Sequence, residues 1–302
     1  MTDAARSAPT PPRRAGRAAA ALCGLLAAIM ATPGPAAAQH PQRVASIFLC
    51  SDQLLLRLAD RSRIVSLNRF AADPSFSNEV DAARGIALNR GLAEEILPLR
   101  PDLVIAGTYS APATKAMLRR LGIPVLELPV ETDFDGIRAN IRRVAAALGE
   151  DARGEKLIAD FDRELAAVAP DGEGRPTLML YRFGGYSQGR HTLSHAIFER
   201  AGFTNYAATR VEGVGRLSLE QIVADPPDAL LLGESGADRN SLSAETLAHP
   251  ALQRLRGTVP TLSLPDRLWI CGLANSADAV RRLAAFRASA FARTERDTEG
   301  RP

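Results

Sequence analysis

Apolar positions along the chain alternate between two spacings. Short continuous apolar runs at Arg43–Leu49, Ile64–Leu67, Leu103–Ala106, Val125–Leu128 and Thr177–Phe183 suit strands buried on both faces. Between them, Ser51–Ala59 places Leu54, Leu55 and Leu58 on one side of a helix, and Thr114–Leu121 reads as a second helix. Strands and helices taking turns in this way predict an α/β chain with mostly parallel sheets. A loop rich in Asp, Pro and Ser, from Asn68 to Asn78, follows the second strand.

The pattern is then written a second time. Leu92–Ile105 (LAEEILPLRPDLVI) and Ser218–Leu231 (SLEQIVADPPDALL) align with Glu94 on Glu220, Ile96 on Ile222 and Pro101-Asp102 on Pro227-Asp228. Each copy reads as a short helix opened by a carboxylate, broken by Pro-Asp and followed by a buried strand. The echo continues, since Leu118–Pro129 (LRRLGIPVLELP) resembles Leu252–Pro265 (LQRLRGTVPTLSLP). Two similar α/β halves imply two lobes with a ligand cleft between them.

Between the halves the spacing is helical throughout. Phe134, Ile137, Ile141, Val144 and Leu148, then Leu157, Ile158, Phe161, Leu165 and Val168, predict one long connecting helix within residues 131–169, bent near Gly149. The expected lobes are residues 39–130 and 170–292, and the polar segment 293–302 is expected to be a disordered tail.

With 302 residues there is room for two domains of ordinary size. The net charge of +3 belongs to the first 38 residues, where Arg6, Arg13, Arg14 and Arg17 oppose a single acid, Asp3. The neutral remainder gives no electrostatic case for nucleic acid or an anionic membrane as partner. Those 38 residues have the order of a secretory signal: arginines, an apolar stretch from Ala18 to Met30, then small residues ending Ala36-Ala37-Ala38. The apolar stretch is too short for a membrane anchor. Cleavage after Ala38 would leave a soluble protein outside the cytoplasm with two cysteines, Cys50 and Cys271, and the export route, general or twin-arginine, stays open.

Two α/β lobes, a helical linker and a signal peptide resemble the periplasmic substrate-binding proteins that serve ABC importers of vitamin B12, ferric siderophores and haem. The likeness covers about Arg43 to Phe291 and is most specific at Glu94–Ile105. It implies a non-enzymatic, monomeric receptor with no cofactor of its own, which holds a metal chelate between its lobes and delivers it to an ABC permease. The general rule for open α/β sheets also puts ligands at the carboxyl ends of the strands. Phe70, Tyr109, Tyr186, His191, Arg216 and Trp269 are the candidate ligand contacts, most of them on predicted strand-end loops. Aromatic faces suit a large flat chelate, and an arginine suits carboxylate or phosphate groups on its rim. The alternative for each ring is that it plugs a loop onto its own lobe. The resemblance further implies a permease-docking carboxylate on each lobe. Glu220 fits the second; in the first, the expected stretch Ser110–Lys115 holds no acid, which leaves Glu94 or Glu95 as substitutes. For Glu220 the alternative is a helix-opening carboxylate favoured by the helix dipole.

Other signals compete. Gly185-Tyr186-Ser187-Gln188-Gly189 fits a serine-hydrolase elbow, with Asp228 or Asp238 and then His249 in the right order, but no helix is written directly after Ser187. A bare transition-metal ion would want His191 and His195 on one helix face, whereas Thr192-Leu193-Ser194 reads as a helix start that leaves His191 outside. In an oxidising compartment Cys50 and Cys271 suggest a disulfide stapling one lobe to the other, against two inert thiols or a thiol facing the ligand metal.

Overall fold

The computed structural model describes residues 40–169, 174–233 and 249–292, so the expected signal peptide and tail, and Asp238, lie outside the described residues. In the first lobe β1 (Val44–Ser46), β2 (Ile64–Asn68), β3 (Leu88–Asn89), β4 (Leu103–Gly107) and β5 (Val125–Leu128) form one parallel sheet ordered β3-β2-β1-β4-β5. Its helices are α1 (Leu49–Leu58), α2 (Val80–Ala83), α3 (Ala93–Ile96), α4 (Pro112–Arg120) and α5 (Phe134–Leu148), and α6 (Asp151–Ala166) follows. The second lobe begins with β6 (Thr177–Tyr181). There β7 (Tyr186–Gln188) and β9 (Val214–Arg216) pair as an antiparallel ribbon. The remaining strands, β8 (Thr204–Asn205), β10 (Ala229–Gly233) and β11 (Thr261–Leu264), join β6 in a parallel sheet ordered β11-β10-β6-β8. Helices α7 (Leu193–Arg200), α8 (Leu219–Ala224), α9 (Pro250–Thr258) and α10 (Ser276–Ala290) complete it.

The apolar runs are continuous because each sheet is covered on both faces. Leu103 and Ile105 of β4 enter a core shared by both lobes, while Val104 and Ala106 point to a smaller one with Ala45, Ile96 and Leu118. In the second lobe Leu178, Leu180 and Leu231 enter the shared core, and Met179, Tyr181, Leu230 and Leu232 line the opposite face. The side chains thus alternate with period two along strands whose sequence shows no alternation.

The repeated Pro-Asp has the same task in both lobes. Asp102 accepts hydrogen bonds from the backbone N–H groups of Gln42 (2.7 Å) and Arg43 (2.9 Å), at the start of β1. Asp228 accepts from the N–H (2.7 Å) and hydroxyl (2.8 Å) of Thr177, at the start of β6. Each aspartate therefore satisfies the entering end of the neighbouring strand, on the edge of the sheet opposite the expected ligand.

The linker differs from expectation: two helices form rather than one. Helix α5 ends at Gly149, which adopts φ 72° and ψ 29°, a left-handed cap that an L side chain resists. Helix α6 then runs back along α5, with Arg138 paired to Asp162 (2.7 Å) and Arg142 to Glu155 (2.7 Å). Gly154 lies so close to α5 that a Cβ there would sit 2.6 Å from that of Ala145. Helix α5 packs on α1 of the first lobe and α6 on α10 of the second, so α6 is the element that crosses between lobes. Helical spacing persists through both because Ile137, Ile141, Ile158, Phe161 and Leu165 all enter the shared core.

Candidate functional site

The strand order of the first lobe reverses between β1 and β4, and in the second lobe β6 and β10 hold the equivalent places. Ligands of open α/β sheets bind at such reversals, beyond the carboxyl ends of the strands. Those ends approach one another across the lobes. Cys50, just after β1, is disulfide-bonded to Cys271, after β11, with Cα atoms 5.3 Å apart. Asn78 Nδ2 donates to the Arg267 carbonyl (2.7 Å), and Arg267 in turn donates to the Pro74 carbonyl (3.3 Å). Gly272 packs against Glu131, whose carboxylate accepts from the Gly272 N–H and from Asn140 Nδ2 (2.5 Å). This joint clasps the two lobes along one side of the carboxyl-terminal edges.

Two carboxyls near the joint are perturbed. Burial pushes Asp52 on α1 well above the usual carboxylate range, with the Ser46 hydroxyl and the Asn68 N–H pulling partly the other way. Burial also raises Glu131, again offset in part by its hydrogen bonds, Asn140 first. Asp52 shapes the site indirectly: it accepts from the Asn68 N–H (3.0 Å), and the Asn68 side chain accepts from the N–H of Phe70.

Of the six candidate contacts, all but Trp269 are exposed, and they are shared between the two lobes. Tyr109 follows β4 and is 84% exposed. Tyr186 opens β7, pairs in register with Arg216 of β9, and carries the Arg216 guanidinium 4.8 Å above its ring. Phe70 is exposed too, edge-on to Phe76 at 5.3 Å with Arg69 over its face. The other two lie differently. His191 takes a left-handed φ of 56° and forms an exposed pair with Glu212 (3.2 Å). Trp269 is 5% exposed and backs the Arg182 guanidinium, 5.2 Å from its ring, so it supports the wall from behind. Arg182 also pairs with the buried Asp266 (3.2 Å). Val130 and Ile270, exposed apolar residues after β5 and β11, escaped the sequence reading because neither is aromatic nor charged.

A cavity of about 530 Å³ opens beside the joint, lined by Asn78, Glu79, Arg267, Asp278 and Arg282 among others. It offers no aromatic face, and its acids are engaged: Glu79 with Arg57, Asp278 with Arg281 and Arg282. Among the described residues no three His, Cys, Asp or Glu side chains converge as a metal site. The hydrolase geometry is absent as well. Ser187 is wholly buried in β7 with no hydrogen-bond partner for its hydroxyl, Asp228 is engaged by Thr177, and the next helix starts only at Leu193. No helix among the described residues is long and apolar enough to cross a membrane.

Residues 44–258 match the family described as periplasmic binding protein. The chain belongs to that family. Its members are binding proteins, not enzymes, and the serine-hydrolase reading falls with that assignment. A cobalamin-binding protein of Halobacterium salinarum is 28% identical over 218 residues, covering 70% of this chain and 59% of that protein. The chain thus spans about three fifths of the length of the curated relative it matches. Among solved structures, the periplasmic heme-binding protein RhuT from Roseiflexus sp. RS-1, in apo form, superposes with a TM-score of 0.71 at 25% identity, covering 82% of this chain and 98% of that one. The periplasmic heme-binding protein BhuT, in complex with two hemes, gives 0.69 at 26% identity, covering 84% and 100%.

Proposed function

We propose that the chain is a periplasmic receptor that captures a flat metal macrocycle of the corrinoid or haem class between its lobes and delivers it to an ABC permease. The observation that carries this reading is the pair of exposed tyrosines, Tyr109 and Tyr186, one from each lobe, with Arg216 stacked on the second. Two π faces from opposite walls suit a broad flat ligand, and a guanidinium already stacked on one of them suits a rim carboxylate or amide. Arg182 bears on the choice between chelates. Its charge is balanced by Asp266, so of Arg182, Arg190 and Arg216, the three that could converge on an anionic siderophore, one is already engaged by a carboxylate. The names of the relatives, cobalamin-binding and heme-binding, support the same class.

Delivery rests on Glu220 and on its repeat partner. Glu94 is the second residue of α3 and Glu220 the second residue of α8, and both are exposed. Their matching places on the two lobes give a permease two carboxylates to meet with arginines, which fills the first-lobe position with Glu94 rather than Glu95. Glu95 is occupied, accepting from the Arg90 N–H at 2.6 Å. Quenching of Trp269, the chain's single tryptophan, tests capture. Titration with cyanocobalamin, haemin and a ferric hydroxamate should show saturable 1:1 quenching by a macrocycle and none by the hydroxamate. Quenching by the hydroxamate alone would move the ligand to the siderophore class, and no quenching by any of the three would remove the chelate reading.

A further inference from the structure

Lys115 is a charged side chain that the proposed binding reading leaves unused, and it is 4% exposed. It sits on α4, and its ammonium reaches the Gly107 carbonyl at 3.1 Å, the Thr108 carbonyl at 2.5 Å and Glu127 Oε2 at 2.5 Å. An ammonium has three protons to donate, and here three acceptors face it. One is the last carbonyl of β4, Gly107, and the next is that of Thr108 just beyond the strand; the third belongs to Glu127 of β5, the adjacent strand. Arg119 also pairs with Glu127, and the hydrogen bond from Lys115, followed by that from Arg119, holds this carboxyl below its ordinary range.

The same few residues are bonded repeatedly. The Ser110 hydroxyl donates to the Gly107 carbonyl (3.0 Å) and accepts from the Gly107 N–H (2.9 Å), while the Thr108 N–H donates to Leu128 (3.0 Å). Ala111 closes the turn in a left-handed conformation, φ 40°. Out of this turn projects Tyr109, 84% exposed. The backbone held by Lys115 sets the direction in which the Tyr109 side chain leaves the turn, while the exposed ring keeps its choice of rotamers.

We propose that Lys115 is a positioning residue: its buried ammonium locks the turn 107–111 and thereby fixes the place from which Tyr109 projects toward the cleft. Pulling either carbonyl away would leave an ammonium buried and underpaired, so the turn is stiff against the displacements that would swing Tyr109. A preorganised turn leaves less backbone freedom to be lost when a ligand lands on the ring it carries, which appears as tighter binding. The affinity consequence rests on Tyr109 being a ligand contact; the stiffness does not.

Lys115→Met, nearly the same length without charge, separates the two. In ligand-free protein, amide exchange at Thr108 and Ser110 should accelerate at least tenfold in the variant, with Ile105 in mid-strand unchanged. Affinities for cyanocobalamin and haemin are then measured in wild type, Lys115→Met, Tyr109→Ala and the double variant. Lys115→Met should weaken whichever probe binds at least fivefold, and should add nothing once Tyr109 is gone. Should Lys115→Met fail to fold, Glu127→Gln removes one acceptor's charge and is expected to move the exchange in the same direction by less. Unchanged exchange at Thr108 and Ser110 would overturn the assignment, as would an affinity loss that persists in full in the Tyr109→Ala background. Accelerated exchange with neither probe bound would sustain the stiffening role and reject the macrocycle reading.

Discussion

Replacing both cysteines, Cys50→Ala together with Cys271→Ala, should cost the folded protein several kcal/mol without changing its fold. The two residues are 221 apart in sequence, so the bond closes most of the chain into one loop. Loop-closure entropy for that length comes to roughly 18 cal/mol/K, or about 5 kcal/mol at 25 °C, as a ceiling that residual structure in the unfolded chain lowers. Against a typical total of roughly 5–15 kcal/mol, that is a third of the stability or more. Alanine is the replacement of choice because both positions are buried, and a serine hydroxyl there would add a desolvation penalty unrelated to the cross-link. Urea unfolding followed by far-UV circular dichroism measures the effect. The double variant, and wild type unfolded in a phosphine reductant, should both lose about 3–5 kcal/mol, with a steeper denaturant dependence as the freed chain expands. A double variant within about 0.5 kcal/mol of wild type, with an unchanged slope, would refute the entropic reasoning, since surface changes alone span that range.

Three further expectations follow from single residues. Asp52→Asn should be more stable than wild type at neutral pH. The raised pKa of Asp52 means that its contribution is fully present below the ordinary carboxylate range and is lost as pH rises through the folded value, so thermal unfolding curves that show no pH-dependent gap between the two proteins would contradict it. Gly189→Ala should destabilise by about 1–3 kcal/mol by overpacking, because its Cβ would fall 1.9 Å from the Val211 carbonyl oxygen beside the β7–β9 ribbon; an unaltered melting temperature would show that the ribbon yields. Glu94→Ala with Glu220→Ala should leave chelate affinity and stability nearly unchanged while abolishing stimulation of the transporter ATPase in vesicles, and full stimulation by the double variant would reduce both residues to helix-opening carboxylates.

Much of the fold is legible in the chain because its two halves repeat. The Pro101-Asp102 and Pro227-Asp228 echo correctly announces two similar lobes, although only the structure shows that both aspartates tie down the entering ends of neighbouring strands. The linker is legible as helical but not as a hairpin, since Gly149 looks the same in a sequence whether it bends a helix or ends one. Its left-handed φ decides the matter, together with the close approach that Gly154 permits. The β7–β9 ribbon escapes because Tyr186-Ser187-Gln188 is too short and polar to read as a strand, and its pairing with Val214–Arg216 is set by tertiary contacts. Trp269 follows a strand as expected yet turns inward, because a 3-10 turn at Asp266–Leu268 reverses the chain toward the lobe core. Lys115 could have been noticed as one of two lysines in an arginine-rich chain, but nothing in its neighbours announces burial.

Capture of a macrocycle between the two lobes is tested most directly by isothermal titration of one probe, cyanocobalamin or haemin, into wild type, Tyr109→Ala and Tyr186→Ala. These residues stand on separate lobes and are exposed, so each variant should fold and melt as wild type does. Both should bind the same probe at least tenfold more weakly, with unchanged 1:1 stoichiometry. Loss in only one variant would put the ligand on a single lobe, and wild-type affinity in both would contradict binding between the tyrosines.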